Sequence, residues 1–400
     1  MNIKTSGFLK GINRSKWNQI RLGDFEPHRN NTCSRSLMAR NGGKIHNIHY
    51  GDILTKYSEI VSLENDELDY LTADGEAHAA KDYVLNGDII IADTAEDEMV
   101  GKVVEVQDVG DSKVLAGLHT MFYRPPANLF VRGWLGYWMN SAAYHNQLIQ
   151  YMTGTKVLSL SKASLAETVI QYPSKEEQCQ IVSALESVQK QILSLQLLLS
   201  KYESIKKATV NLLLKPKVDW KQMKLGDIGE VAMCKRILKS QTSTTGDVPF
   251  YKIGTFGKTP DAFISYDLFE DYKRHFSYPK VGDVLLSAAG TIGKTVVFNG
   301  EDAYFQDSNI VWIVNDESIV TNPFLNIIYS QLEWQTENGG TVSRLYNNNI
   351  LNTVIVIPQL NEQKRIVESL NFVENTINSF KAKLKKIQNI KQSMLQYFFG

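Results

Sequence analysis

The 400-residue sequence has few cysteines, no long apolar segment and no net charge. Its three cysteines, Cys33, Cys179 and Cys234, are scattered and odd in number, which argues against a disulfide scaffold and against a zinc site. No run of about 18 apolar residues occurs, and residues 1–16 contain no apolar signal core. We therefore expect neither export nor membrane insertion, and predict a cytoplasmic protein with no disulfide and no bound metal.

The charges balance over the whole chain but are unevenly distributed. Lys and Arg number 43, as do Asp and Glu. Residues 174–217 and 359–400 carry an excess of basic side chains, so the rest of the chain is correspondingly acidic. Nucleic-acid-binding proteins usually show an overall basic excess. If this protein binds nucleic acid, its basic surface must be local or must be completed by partner chains.

One long segment occurs twice, because residues 173–214 and 358–399 align without a gap. Each copy opens with proline, carries Glu-Gln shortly afterwards (Gln178 and Gln363), and then places apolar residues at alternating steps of four and three. This 3.5-residue period is typical of a coiled-coil seam. At 1.5 Å per residue each predicted helix is about 60 Å long. The predicted seam residues are Ile181, Leu185, Val188, Ile192, Leu195, Leu199 and Tyr202 in the first copy, and Ile366, Leu370, Val373, Ile377, Phe380, Leu384 and Ile387 in the second.

The regions that precede the two helices also repeat, but mainly at their edges. Trp17–Phe25 resembles Trp220–Ile228, and a Gly-Asp pair precedes an apolar run at Gly87 and at Gly282. The middles have diverged, and the first copy is longer. A repeat of this size indicates a duplicated domain rather than a solenoid. We predict globular domains at residues 1–172 and 217–357, and helical regions at residues 173–216 and 358–400.

Local patterns predict that each globular domain mixes α and β structure. Turn signals followed by β-type runs predict a turn and then a strand within residues 84–91 and within residues 279–286. Further apolar runs predict strands at residues 309–314 and 353–357. Helices are predicted at residues 130–150 and 323–338. Ser174 is expected to cap the first long helix and Asn361 the second, and Pro216 is expected to end the first.

The order of these parts predicts how the two long helices pack. The first helix leads from the first domain to the second, so the second helix can bury its seam against the first only by running back. We therefore predict an α+β fold in which two mixed α/β domains are separated by two long antiparallel coiled-coil helices and are related by a pseudo-two-fold axis. Two-fold arrangements of this kind are typical of proteins that read split DNA sites.

Basic residues in the two globular domains are the candidates for contact with DNA. The alternative is that they are ordinary solvated surface charges, and composition alone does not separate the two interpretations. The candidates are Arg29, Arg35, Arg40 and Lys44 in the first domain, and Lys235, Arg236, Lys239, Lys252 and Lys258 in the second.

The duplicated arrangement resembles the specificity subunit of type I restriction–modification systems. The resemblance covers essentially the whole chain. It rests on Trp-x-x-x-x-Leu-Gly-Asp at residues 17–24 and 220–227, on the Gly-Asp strand starts, on Gly-Thr-Ile-Gly-Lys at residues 290–294, and on the proline and Glu-Gln at each helix entry. Their order, found twice, is more specific than any single motif.

This resemblance implies a non-catalytic subunit. Each globular domain would be a target recognition domain that reads one half of a bipartite, asymmetric DNA site, and the helices would set the spacer and dock modification subunits. The implied partners are double-stranded DNA, two modification subunits that bring S-adenosylmethionine, and restriction subunits that use ATP and Mg; no cofactor is implied in this chain. An acidic loop at residues 92–101 replaces the second domain's residues 288–291, so the resemblance does not imply that this loop contacts DNA.

Other chemistries fit the sequence less well. Residues 288–295 satisfy a permissive phosphate-loop pattern, but a β-type run follows where a helix should begin, so a tight strand–turn–strand is favoured. Asn322-Pro323-Phe324 is interpreted as a helix start rather than a methyltransferase motif. His46 and His49 lack a clear third metal ligand. The alternatives left open are a coiled-coil scaffold or DNA-binding regulator with two interaction domains and, as a third, a fused enzyme.

Overall fold

The computed structural model describes residues 14–79, 82–335 and 344–400. The chain forms two compact units, the first comprising Met1–Leu197 and Ala382–Gly400 and the second Leu198–Lys381. Both long helices contribute residues to both units. Among the described residues, no helix combines the length and the apolar character needed to cross a membrane.

The first unit is built on a five-stranded sheet of order β2-β11-β7-β9-β5 and a four-stranded sheet of order β10-β4-β6-β3. Its strands are β1 (Asn18–Arg21), β2 (Glu26–His28), β3 (Met38–Ala39), β4 (Ile45–Ile48), β5 (Ile60–Ser62), β6 (Tyr70–Leu71), β7 (Ile89–Ala92), β8 (Thr94–Ala95), β9 (Val103–Gln107), β10 (Lys113–Ala116), β11 (Thr120–Arg124), β12 (Leu158–Ser159) and β13 (Val169–Tyr172). Its helices are α1 (Tyr50–Thr55), α2 (Ala73–His78), α3 (Trp134–Met139), α4 (Ala142–Leu148), α5 (Lys162–Ala166) and the start of α6 (Lys175–Leu213).

The second unit contains a four-stranded sheet of order β15-β21-β18-β19 and a three-stranded sheet of order β17-β16-β20. Its strands are β14 (Lys221–Lys224), β15 (Gly229–Ala232), β16 (Val248–Tyr251), β17 (Phe263–Ile264), β18 (Val284–Ser287), β19 (Thr295–Val297), β20 (Tyr304–Phe305), β21 (Ile310–Asn315) and β22 (Val354–Ile357). Its helices are α7 (Tyr266–His275), α8 (Asn322–Tyr329), α9 (Asn347–Asn352) and the first half of α10 (Leu360–Phe399).

The repeated opening motif forms the same local structure in both units. The strand that contains it pairs antiparallel with the last strand before the long helix, β1 with β13 and β14 with β22. Leu-Gly-Asp then makes a short 3₁₀ turn in which Leu22 and Leu225 are fully buried. In each turn the aspartate accepts a hydrogen bond from the backbone N–H three residues earlier. The motif therefore repeats because it closes each globular domain at the base of its helix.

The two long helices pack antiparallel, as predicted. In the first unit, Ile181 and Leu185 of α6 share a core with Phe398 and Phe399 at the far end of α10. In the second unit, the rings of Tyr202 and Phe380 lie 5.3 Å apart. The predicted seam residues are all buried or half-buried. Because the apolar residues follow one another at alternating steps of four and three, the buried face continues along both helices.

A buried glutamine attaches each long helix to its globular domain. Gln178 and Gln363 are both fully buried. The Gln363 carboxamide accepts from the Thr321 N–H (2.9 Å) and donates to the carbonyls of Ile319 (2.8 Å) and Pro358 (3.0 Å). Gln178 makes the equivalent bonds to three backbone groups in the first unit. We call these three hydrogen bonds the glutamine clamp. The clamp explains why glutamine recurs in the Glu-Gln pair of both copies.

The predicted helix at residues 130–150 is wrong as a single element, because the chain forms α3 and α4 with a break between them. The Asn140 carboxamide accepts from the Val103 N–H (3.0 Å) and donates to the Val103 carbonyl (2.7 Å), which ties the end of α3 to strand β9. The Ser141 hydroxyl then accepts from the Tyr144 N–H and starts α4. Tertiary hydrogen bonds thus interrupt an otherwise helical pattern.

Two further details differ from the sequence predictions. The helix at residues 323–338 is shorter, since α8 ends at Tyr329 and the chain turns so that Trp334 packs 5.4 Å from the Tyr329 ring; residues 336–338 lie outside the described residues. Asn361 is not the cap of α10, which begins one residue earlier. The Gln359 carbonyl accepts the first helical N–H groups instead. Ser174 does cap α6, accepting from the Glu177 N–H at 3.4 Å.

The predicted strands are confirmed, since β7 and β18 follow the predicted turns and β21 and β22 each begin one residue later than predicted. β7, β18, β21 and β22 occupy the regions predicted from turn signals and apolar runs. The favoured strand–turn–strand at residues 288–295 is also confirmed, because β18 pairs antiparallel with β19 across that turn. Gly293 has a φ of +84°, and a Cβ there would meet the Trp334 ring within 2.7 Å, so glycine is required on both grounds.

Candidate functional site

Four basic side chains converge on one cavity in the second unit. The cavity has a volume of about 460 Å³ and is lined by Arg236, Lys239, Lys252 and Arg344, together with the polar residues 306–309. We call it the basic cleft. Among the described lining residues, the carboxylate of Asp307 accompanies these four cations, so this part of the lining carries a clear positive excess.

Arg236 and Asp307 form the best-defined pair in the basic cleft. The Arg236 Nε donates to Asp307 Oδ2 at 2.8 Å. The arginine side chain is 68% exposed and the aspartate only 14%, so the carboxylate is anchored in the protein while most of the guanidinium faces solvent. The remaining N–H donors of the guanidinium stay available to a ligand.

The polar residues 306–309 form a shaped loop between β20 and β21. Gln306 Oε1 accepts from the Ile253 N–H (2.9 Å), and Ser308 has a φ of +59°, which is uncommon for a residue other than glycine. The Ser308 carbonyl accepts from Arg344 Nη2 at 2.8 Å, and the Asn309 carbonyl accepts from the Ala288 N–H at 2.8 Å. Both sides of the loop are thus tied to neighbouring segments, and its polar side chains line the basic cleft.

The other predicted residues of the second domain lie in different surroundings. Lys252 pairs with Asp261 at 2.8 Å, while Lys239, in a short 3₁₀ turn, has no ion-pair partner within the described part of the chain. Lys235 lies 4.9 Å from the centroid of the Phe276 ring and does not line the basic cleft. Lys258 borders a separate, aromatic-lined cavity of about 230 Å³. Three of the five predicted residues therefore share one site.

The first unit has a larger cavity of different charge. It has a volume of about 860 Å³ and contains Arg35 and Arg40 among the predicted residues. We call it the mixed-charge cleft, because Lys56 and these two arginines face four carboxylates, those of Asp52, Asp66, Glu67 and Asp69.

Arg35 is held firmly in the mixed-charge cleft. Its guanidinium donates to both oxygens of Asp52 at 2.8 and 2.9 Å, and this hydrogen bonding raises the pKa of the arginine. Burial raises the pKa of Asp66 on the same lining. Arg29 and Lys44 are exposed and lie away from this cleft. The structure thus brings together two of the four predicted residues of the first domain.

Comparison with known proteins decides the family. The family described as the type I restriction modification DNA specificity domain matches residues 14–200 and 217–389, which is most of the chain. The chain belongs to this family. The resemblance seen in the sequence is therefore confirmed, and the protein is a DNA sequence-recognition subunit of the type I restriction–modification class. Specificity subunits of this family are not themselves catalytic.

Relatives of this specificity subunit agree in sequence and in fold. A type I restriction enzyme specificity subunit of Haemophilus influenzae is 44% identical over 262 residues, spanning 62% of this chain and 67% of the relative. The crystal structure of the S subunit of a type I system from M. genitalium covers 100% of this chain and 98% of its own, with a TM-score of 0.59 and 12% identity. A chain from a study of complex assembly and conformational transition in the type I system has a TM-score of 0.55 and 18% identity, covering 96% and 97%. At these identities the structures show a shared fold.

The remaining candidate chemistries of this specificity subunit have structural explanations. Lys294 of the permissive phosphate-loop pattern donates to the Phe256 carbonyl from a β-hairpin. Asn322-Pro323 starts α8 behind the Thr321 cap, as interpreted. The His49 ring accepts from the Gly51 N–H at 3.2 Å to cap α1, and burial lowers its pKa. His46 packs against Tyr70 in a tilted arrangement with ring centroids 4.1 Å apart. In the described ranges no group of His, Cys, Asp and Glu is arranged to hold a metal ion.

Sequence reasoning missed Arg344, Asp307 and Asn309 as parts of the basic cleft. The available signal was the polar run at residues 306–309 between two apolar runs, although the prediction assigned Asn309 to a strand. Arg344 carried no local signal. It reaches the cleft because Ala289 and Arg344 form an antiparallel bridge, which is a long-range contact.

Proposed function

We propose that this specificity subunit reads a bipartite, asymmetric DNA sequence, with each globular domain contacting one half. The observation that carries the proposal is the pair of clefts on a duplicated framework. The two domains repeat the same closing strands and the same glutamine clamp, yet one cleft is basic and the other has mixed charge. A shared framework with different linings suits the recognition of two different half-sites.

The lining of the basic cleft suits duplex DNA. Lysine and arginine side chains neutralise phosphates, which gives affinity, and polar side chains next to them can contact base edges, which gives sequence preference. The mixed-charge cleft offers carboxylates, which can accept from the exocyclic amino group of cytosine, whereas both Nη groups of its Arg35 already donate to Asp52. The two clefts would therefore favour different base pairs.

The two long helices are proposed to set the unspecified spacer between the half-sites and to dock the modification subunits. Large apolar side chains remain exposed on them, including Leu197 and Leu212 on α6 and Phe372 on α10. On α6 the exposed Leu193 and Leu197 lie one helical turn apart, so they form an adjacent apolar pair that a protein–protein contact can bury. We infer that these side chains become buried in the assembled enzyme.

The assembly proposed here contains two modification subunits, which supply S-adenosylmethionine, and restriction subunits, which supply ATP- and Mg-dependent cleavage. This chain contributes recognition and needs no cofactor of its own. It would act in the cytoplasm, where the cellular DNA lies.

A domain exchange tests the proposal. Residues 17–172 are replaced by the equivalent domain of a relative, the chimaera is expressed with the modification subunit, and methylated sites are found by sequencing. We expect one half of the methylated sequence to change and the other half, read by residues 217–357, to stay the same. The reciprocal exchange of residues 217–357 is the matched control and should change only the other half. Changes in both halves after a single exchange would contradict independent reading.

A further inference from the structure

We propose that Arg236 recognises a guanine in the half-site of the second domain and that Asp307 is the residue that positions it. The inference rests on the proposed function, and it adds the identity of a base-reading side chain and the chemistry that it recognises. Among the four cations of the basic cleft, only the guanidinium of Arg236 is both largely exposed and fixed by a carboxylate through Nε.

The hydrogen bond to Asp307 determines which donors remain for DNA. Because Nε is occupied by Asp307, the two Nη groups remain as a planar pair of donors for a ligand. Guanine presents two acceptors, O6 and N7, on its major-groove edge, and paired arginine donors match them. A fork held in place before binding also loses less side-chain entropy when it binds.

The loop that carries Asp307 fixes the carboxylate in turn. Ser308 Oγ donates to Asp307 Oδ2 at 3.3 Å, and the Asn309 N–H donates to the Asp307 carbonyl at 2.6 Å. Ser308 adopts its positive φ inside this small network. Backbone strain of this kind often occurs at functional sites, where surrounding contacts maintain it. The loop geometry therefore supports a positioning role for Asp307.

The other cations of the basic cleft suit different roles. Lys239 has no ion-pair partner in the described ranges, and a lysine, as a point charge on a flexible stem, suits phosphate rather than a base edge. Arg344 already donates through Nη2 to the Ser308 carbonyl, so one arm of its fork is occupied. Lys252 is paired with Asp261. Arg236 is therefore the cation that keeps a complete fork for a base.

The test uses the assembled complex with its modification subunit, after methylation sequencing has identified the target. Binding is measured for a panel of duplexes in which each base pair of the target is changed in turn, at several salt concentrations. The variants are Arg236→Lys, Arg236→Gln and Asp307→Asn, with Lys239→Gln as the matched control. Thermal unfolding of each variant confirms that it is folded.

We expect Arg236→Lys and Arg236→Gln to lose discrimination at one G·C pair of the second domain's half-site, by about 10- to 100-fold. Arg236→Lys keeps its charge, so its salt dependence should match that of the parent. Asp307→Asn should weaken discrimination at the same pair. Lys239→Gln should weaken binding to all duplexes equally and reduce the salt slope by about one.

Two results would overturn the inference. If both Arg236 variants weakened all duplexes equally, Arg236 would be a phosphate contact. If the half-site contained no guanine, there would be nothing for the fork to read. Neither result affects the proposed function, which would instead fail if the unaltered complex bound every duplex of the panel equally well.

Discussion

Replacing the buried glutamine Gln363 by leucine tests how each long helix is joined to its globular domain. Leucine has a similar volume, so the substitution removes hydrogen bonds without opening a large cavity. Three backbone groups would lose their partner, namely the Thr321 N–H and the carbonyls of Ile319 and Pro358. Gln363 is fully buried, so water cannot replace the carboxamide without a local rearrangement.

The expected effect is large. Each buried group left without a partner costs about 1–3 kcal/mol, and partial relaxation lowers the sum, so we expect a loss of about 3–6 kcal/mol in the free energy of unfolding. A loss of this size is a large fraction of the stability of an ordinary domain, about 5–15 kcal/mol. The effect should appear first in the second unit, where all three groups lie.

The assay is denaturant unfolding followed by circular dichroism. The matched control is Gln388→Leu, which changes an exposed glutamine on the same helix and should shift stability by less than about 0.5 kcal/mol. Gln178→Leu should reproduce the large effect in the first unit. Equal unfolding midpoints for Gln363→Leu and Gln388→Leu would refute the clamp.

Three further predictions concern the helices. Leu185→Asp buries an unpaired charge in the core of the first unit and should unfold that unit or prevent assembly. The control Gln196→Asp changes an exposed position of the same helix and should leave the melting temperature nearly unchanged. Phe399→Ala removes a ring whose centroid lies 5.5 Å from those of two tryptophans, and should lower the free energy of unfolding by about 3–5 kcal/mol in denaturant unfolding. The control Phe372→Ala, at an exposed position, should change the free energy of unfolding little. Inserting one heptad at matched points of both helices adds about 10 Å. Selection from a library of spacer lengths should then return a spacer about three base pairs longer with unchanged half-sites. Recovery of the original spacer would contradict the proposal that the helices set the spacer length.

The long helices could be predicted from the sequence because their pattern is local. A 3.5-residue apolar period fixes the buried face without knowledge of the rest of the fold. Chain connectivity then gives the antiparallel direction. The break at Asn140 could not be predicted in the same way, because the carboxamide that stops α3 bonds to Val103, a residue distant in sequence on another element.

The basic cleft could be predicted only in part, because its members come from distant segments. Arg236 and Asp307 are 71 residues apart in the sequence, and Arg344 is 36 residues from Ser308, to which it donates a hydrogen bond. Which of many exposed cations share a site depends on strand pairing and loop shape, which leave no local pattern. Of the residues predicted to contact DNA, Lys239 therefore lines the basic cleft, whereas Lys235 lies outside it.

Comparison of the two copies distinguishes residues that support the fold from residues that we propose to read DNA. Several positions that match between the two copies are buried or tie elements together, as with Trp17 and Trp220, or Gln178 and Gln363. When the two copies are aligned on Trp17 and Trp220, Arg236 aligns with Cys33. Arg236 is exposed, whereas Cys33 is buried. Residues that both domains need for folding stay alike, whereas residues that read different half-sites have no reason to match. Divergence between the copies therefore points to the recognition surface, and repetition points to the scaffold that presents it.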